Sequence, residues 1–152
     1  MRLLMRTSLV LALSASIACG CSCSPPITAW IASVNSDVVF RGTIAAIRED
    51  TTLSSGAGAI RYTRRIAVFR VTRVWKGAVG LTVEITAPEE SLPCMGYEPS
   101  YFKVGNDLLV YAKGTSEYSI TSCSRTSLAK DAKADFEELD SAESKPRKLD
   151  SK

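Results

Sequence analysis

The chain has 152 residues, 45% of them hydrophobic and 23% charged, which fits one globular domain and excludes an intrinsically disordered chain. Its formal net charge is +3, and subtracting Arg2 and Arg6, which lie in the N-terminal segment described next, leaves +1, too little to hold nucleic acid by bulk charge. Histidine is absent, so Ser-His-Asp and Cys-His catalysis, the HExxH zinc helix and any His-ligated metal are excluded.

Residues 1–18 carry two arginines, an apolar run from Leu9 to Leu13 and then small residues. That is the basic region, apolar region and small-residue exit of a secretory signal peptide, and it predicts an exported protein. The run is too short and too serine-rich for a membrane span, which needs about 20 apolar residues. Ala18 and Gly20 allow cleavage before Cys21, giving a signal peptide over 1–20. Ser16-Ile17-Ala18-Cys19 is also a degenerate lipobox, in which a signal peptide over 1–18 is removed and Cys19 is acylated as the first residue. Both cuts remain open, and the membrane enters only through the second.

The mature chain then reads as alternating punctuation and pattern. Ile27, Trp30, Ile31 and Val34 are spaced i, i+3, i+4, i+7, which predicts a short amphipathic helix with that stripe inward. Ser24 is its expected cap, Pro25 and Pro26 are tolerated at its start, and Asn35-Ser36-Asp37 ends it. Residues 38–47 form a β-branched strand broken by Gly42, a bulge or sharp bend. Residues 49–59 contain SSGAG and read as a hairpin loop. Residues 66–75 form a second strand. In the third, Leu81, Val83, Ile85 and Ala87 face one way and Thr82, Glu84 and Thr86 the other. Residues 88–105 are a Pro- and Gly-containing loop. Residues 107–113 are apolar on both faces, a central strand, and residues 118–121 make a fifth. Leu128, Ala132, Phe136 and Leu139 mark one stripe of a C-terminal helix, and residues 141–152 read as a disordered polar tail. Five strands, one strongly bent, with a helix at each end predict a mainly β domain over 21–140, a closed OB-like barrel stapled by disulfides.

Five cysteines punctuate this pattern: Cys19, Cys21, Cys23, Cys94 and Cys123. In an exported chain, Cys21-Ser22-Cys23 with two distant partners reads as a pair of disulfides. Adjacent Cys21 and Cys23 would close a strained ring, so each is expected to reach a distant loop, and spacing alone leaves open which one meets Cys94. A thiolate zinc site is disfavoured by the lack of paired C-x-x-C knuckles.

The run Cys21-Ser22-Cys23-Ser24-Pro25-Pro26 followed by Asn35-Ser36-Asp37-Val38-Val39-Phe40-Arg41-Gly42 resembles the N-terminal domain of the tissue inhibitors of metalloproteinases and the wider netrin-like modules. The resemblance continues in order through residues 69–77, the Ser91-Leu92-Pro93-Cys94 loop, residues 105–111 and Ile120-Thr121-Ser122-Cys123. It implies an OB-type barrel with Cys21–Cys94 and Cys23–Cys123 bridges. It also implies a mode of action: the amine nitrogen and carbonyl oxygen of Cys21 chelate the catalytic zinc of a partner metalloprotease and displace its water. An α-amine titrates near pH 8, so its lone pair is offered at neutral pH. By the same resemblance Ser22 enters the protease's specificity pocket, and Ser91, Leu92 and Pro93 flank the ridge formed by Cys21, Ser22 and Cys23. Three departures matter. The family's third disulfide has no counterpart, since residues 30–32 supply no cysteine and none follows Cys123; the inhibitors' disulfide-rich C-terminal subdomain is absent; and Cys19 and Gly20 precede the family's starting cysteine. Bacterial netrin-like proteins resemble this reduced form. Any residue ahead of Cys21 turns its amine into an amide and removes the ligand.

Competing readings are weaker. Arg61, Arg64, Arg65, Arg70 and Arg73 form a basic strand, which reads as a solvated face in an exported, near-neutral chain. Glu89 and Glu90 read as solvated loop charges, and Trp75, which with Tyr97 could stack on a sugar, reads instead as a barrel-edge core residue. No nucleophile has a base. The expectation is a monomeric, cofactor-free protein without enzymatic activity that either inhibits a zinc metalloprotease or serves as a lipid-anchored envelope module.

Overall fold

The computed structural model describes residues 25–53, 61–87, 101–121 and 123–143. In chain order these form α1 (Ala29–Val34), β1 (Val38–Leu53), β2 (Arg61–Lys76), β3 (Thr82–Ala87), β4 (Asp107–Ala112), β5 (Tyr118–Ser119), β6 (Ser127–Leu128), a 3-10 turn (Ala129–Asp131) and α2 (Lys133–Glu143). The class is mainly β with a helix before and after the strands.

β1 and β2 make a long antiparallel hairpin whose register runs from Val39↔Lys76 to Leu53↔Arg61. It extends well into residues that the SSGAG motif assigned to a loop. Polar cross-strand pairs carry that extension in place of apolar alternation: Arg64 bonds Asp50 at 3.1 Å, and the hydroxyls of Thr51 and Thr63 meet at 3.3 Å. The expected bend at Gly42 is present as a register shift between Arg41 and Gly42. A Cβ on Gly42 would stand 2.8 Å from the Arg70 carbonyl oxygen, so only glycine lets the strands approach there.

The strands form one sheet in the order β5-β3-β2-β1-β4-β6, with β3 and β5 parallel and the other neighbours antiparallel. The expected closed five-stranded barrel is therefore corrected to a six-stranded sheet whose ladders stop short of closure. Beyond β4 a single antiparallel bridge joins Lys113 to Ser119, with reciprocal N–H to carbonyl bonds of 2.9 and 2.8 Å. The contact is short because Gly114, at φ +132°, turns the chain back immediately; a Cβ there would lie 1.9 Å from the Glu117 oxygen. Leu128, expected on the C-terminal helix, instead forms β6 on the free edge of β4.

β4 is covered on both sides, as its two apolar faces predict. Leu108, Val110 and Ala112 join Phe40, Ile44, Phe69, Val83, Ile85 and Phe102 in the main core. Phe40, Phe69 and Phe102 pack edge to face at centroid distances of 5.5 and 6.3 Å. On the other side Leu109 and Tyr111 pack with Val39 under the helices, against Ala29, Ala32, Ala132 and Leu139. In β3, Val83, Ile85 and Ala87 are buried as the alternation requires, whereas Leu81 lies just ahead of the strand and is 86% exposed.

α1 departs most from expectation. Its buried residues are Ala29, Ala32 and Ser33, while Ile27 (84%), Trp30 (54%), Ile31 (42%) and Val34 (57%) face outward. Small side chains let the helix backbone settle closely over the sheet layer, and the bulky stripe is left on the other side. Its cap is Thr28, whose Oγ1 accepts from the Ile31 N–H at 3.2 Å, in place of Ser24. α2 continues through Glu143, into the first residues of the expected tail.

Candidate functional site at the N-terminal chain

Of the residues singled out from the sequence, Cys19, Cys21, Ser22, Cys23, Ser91, Leu92, Pro93 and Cys94 lie outside the described residues, as do Glu89, Glu90 and Tyr97. Cys123 is described. It is disulfide-bonded, and its partner is not among the described residues. It lines a recess of about 300 Å³ together with Pro26, Ala32, Tyr111, Lys113, Ile120 and Arg125.

The chain that emerges from this recess is held by side chains the sequence did not single out. Arg125 Nη1 donates to the carbonyl oxygens of Pro26 at 2.7 Å and Ile27 at 3.2 Å. Its Nε and Nη2 form a two-pronged bond to Asp135, at 2.7 and 2.9 Å. This fork fixes the guanidinium plane, and the Asp135 bonds raise the Arg125 pKa above its ordinary value. Asp135 is 7% exposed and also accepts the Tyr111 hydroxyl at 3.3 Å. Burial, reinforced by the negative charge of Asp135, pushes the Tyr111 phenol far above its usual range.

Two residues later Glu138 takes over. Its Oε2 accepts from the Ala29 N–H at 3.1 Å and its Oε1 from the Trp30 N–H at 3.0 Å. Both oxygens thus satisfy opening donors of α1 that no intrahelical carbonyl can reach, with a negative charge at the favourable end of the helix. At the far end Lys76 Nζ donates to the Ser33 and Val34 carbonyls at 2.8 and 3.2 Å. The backbone from Pro26 to Val34 is therefore tied down by Arg125 from the loop before β6, Glu138 from α2 and Lys76 from the end of β2.

No sequence signal distinguishes Glu138 among the acidic residues of α2, and Arg125 lies in a loop without periodicity. Their contacts span 98 to 109 residues of sequence. Trp75 sits as an edge core residue, stacked on Phe136 at 5.5 Å and donating from Nε1 to Asp140 at 2.6 Å. Part of the basic strand is matched by acids: Arg64 meets Asp50 and Glu117, and Arg73 meets Asp140 and Glu143. Among the described residues no group of three or more His, Cys, Asp or Glu side chains is arranged to hold a metal ion.

No protein-family model matches the chain, and no curated protein sequence matches it.

Proposed function

We propose that the protein is an exported, netrin-like module of the metalloproteinase-inhibitor type, acting on a zinc endopeptidase through the Cys21 amine and carbonyl. The observation that carries this reading is the tethering of the chain just after Cys21-Ser22-Cys23 by Arg125 and Glu138. A backbone ligand needs a fixed direction of approach, and a pre-ordered chain loses less entropy on binding. The sheet supplies the scaffold behind it: β1, β2, β3 and the parallel β5 follow in order, and β4 flanks β1 on the other side. The shared recess supports a Cys23–Cys123 bridge. Cys123 and Pro26 both line it, and Cys23 is three residues from Pro26, about 11 Å at full extension. Cys21 would then be bridged to Cys94, with Ser22 entering the protease and Ser91, Leu92 and Pro93 beside it.

The exposed apolar stripe of α1 favours a second reading, a non-inhibitory envelope module anchored through an acylated Cys19. Intact mass of the exported protein separates the two. Under the first reading the mature chain starts at Cys21 and inhibits a zinc endopeptidase, and adding one Ala ahead of Cys21 abolishes inhibition while thermal unfolding stays unchanged. A mature chain starting at acylated Cys19, or equal inhibition by native and Ala-extended forms, contradicts it.

A further inference from the structure

We infer that the outward face of α1 is a lipid-seating surface, with Trp30, Ile31 and Val34, and Ile27 just ahead of the helix, lying in the headgroup layer of a bilayer. Six large hydrophobic residues are exposed among the described residues, and four of them fall in this one stretch of chain. A contiguous apolar patch of this kind marks an interaction surface, unlike apolar residues scattered singly. The stripe holds no charged side chain, and Trp30 supplies the amphipathic ring favoured at membrane interfaces. The face is rigidly presented, because Glu138 and Lys76 fix both ends of the helix.

The occupant follows from size and from the chain ahead of the helix. A six-residue helix is about 9 Å long, so the patch falls far short of the roughly 800 Å² per partner of a stable protein interface. Among the described residues no helix is long and apolar enough to cross a membrane, so seating is on the surface. Cys19 precedes Ile27 by eight residues, a span of at most about 28 Å, and this tether argument rests on the anchored reading. An acyl chain there would hold α1 nearest the lipid.

The test uses the exported protein with phosphatidylcholine vesicles, with and without phosphatidylglycerol, whose acyl chains carry bromine. Trp30 emission should shift to shorter wavelength and fall about twofold on brominated lipid, and the quenching should vanish in Trp30→Phe, leaving only Trp75. The double variant Ile27→Ser, Ile31→Ser should partition at least tenfold less while its thermal unfolding is unchanged, since both side chains are exposed. Unquenched Trp30 in protein that floats with the vesicles overturns the inference, as does a concentration-dependent dimer lost in Ile31→Ser. Intact mass keeps the two ideas apart: quenching without acylated Cys19 sustains the lipid face and removes the anchor, and acylation without quenching does the reverse.

Discussion

The two sides of β4 are packed by different means. Leu108, Val110 and Ala112 enter a core of aliphatic and aromatic side chains, where contact area and shape set the energy. Leu109 and Tyr111 face a layer that is apolar at its centre but crossed by Tyr111, Asp135, Arg125 and Glu138, each bonded to another element. The first layer holds the sheet together without specifying where the chain ends point. The second contributes fewer apolar contacts and fixes the backbone path of residues 26–34. Lesions in the two layers should therefore fail differently.

The largest loss is expected from Phe69→Ala, because Phe69 is fully buried and packs edge to face on both Phe40 and Phe102. Denaturant unfolding should show a loss of about 3–5 kcal/mol with no selective effect on α1. Asp135→Ala should cost about 2–3 kcal/mol, since it leaves the Arg125 fork and the Tyr111 hydroxyl without their shared acceptor. Unlike Phe69→Ala, it should expose residues 26–30 to limited proteolysis before global unfolding. A uniform loss of protection in both variants would erase the distinction between the layers.

Alkali gives a smaller test. The unfolded chain releases a tyrosine proton near pH 10, while the buried Tyr111 beside Asp135 holds its proton to higher pH. The unfolded state then binds fewer protons than the folded state, so this contribution is complete below about pH 10 and is lost as pH rises beyond it. Arg125 offsets part of the effect of Asp135 and Glu138, and burial dominates. Tyr111→Phe should flatten the alkaline fall in stability measured between pH 9 and 11 by up to about 1.4 kcal/mol. An unchanged alkaline slope would place the titrating group elsewhere.

The sheet layer was largely legible in the sequence and the helical layer was not, for a physical reason. Strand alternation fixes which side chains share a face, and neighbouring strands then fix which face is inward, so Val83, Ile85 and Ala87 are buried as expected. Helical periodicity found the Ile27, Trp30, Ile31, Val34 stripe, but close docking through Ala29, Ala32 and Ser33 turned it outward. Leu128 matched the helical stripe by spacing alone and was recruited to the edge of β4. Arg125 and Glu138 act across about a hundred residues, and no local pattern encodes such a contact. The expected ridge of Cys21, Ser22 and Cys23 rests on motif resemblance alone and lies outside the described residues.

The central claim is that bonds from α2 and its preceding loop set the course of the N-terminal chain. Native-state hydrogen exchange in Glu138→Ala tests it most directly, because the Ala29 and Trp30 amides donate to that carboxylate. The account predicts that protection of these two amides falls about fivefold, near 1 kcal/mol, while the amides of Phe69 and Ile85 in the sheet keep theirs. Unchanged protection at Ala29 and Trp30, or an equal fall across the sheet, would contradict it.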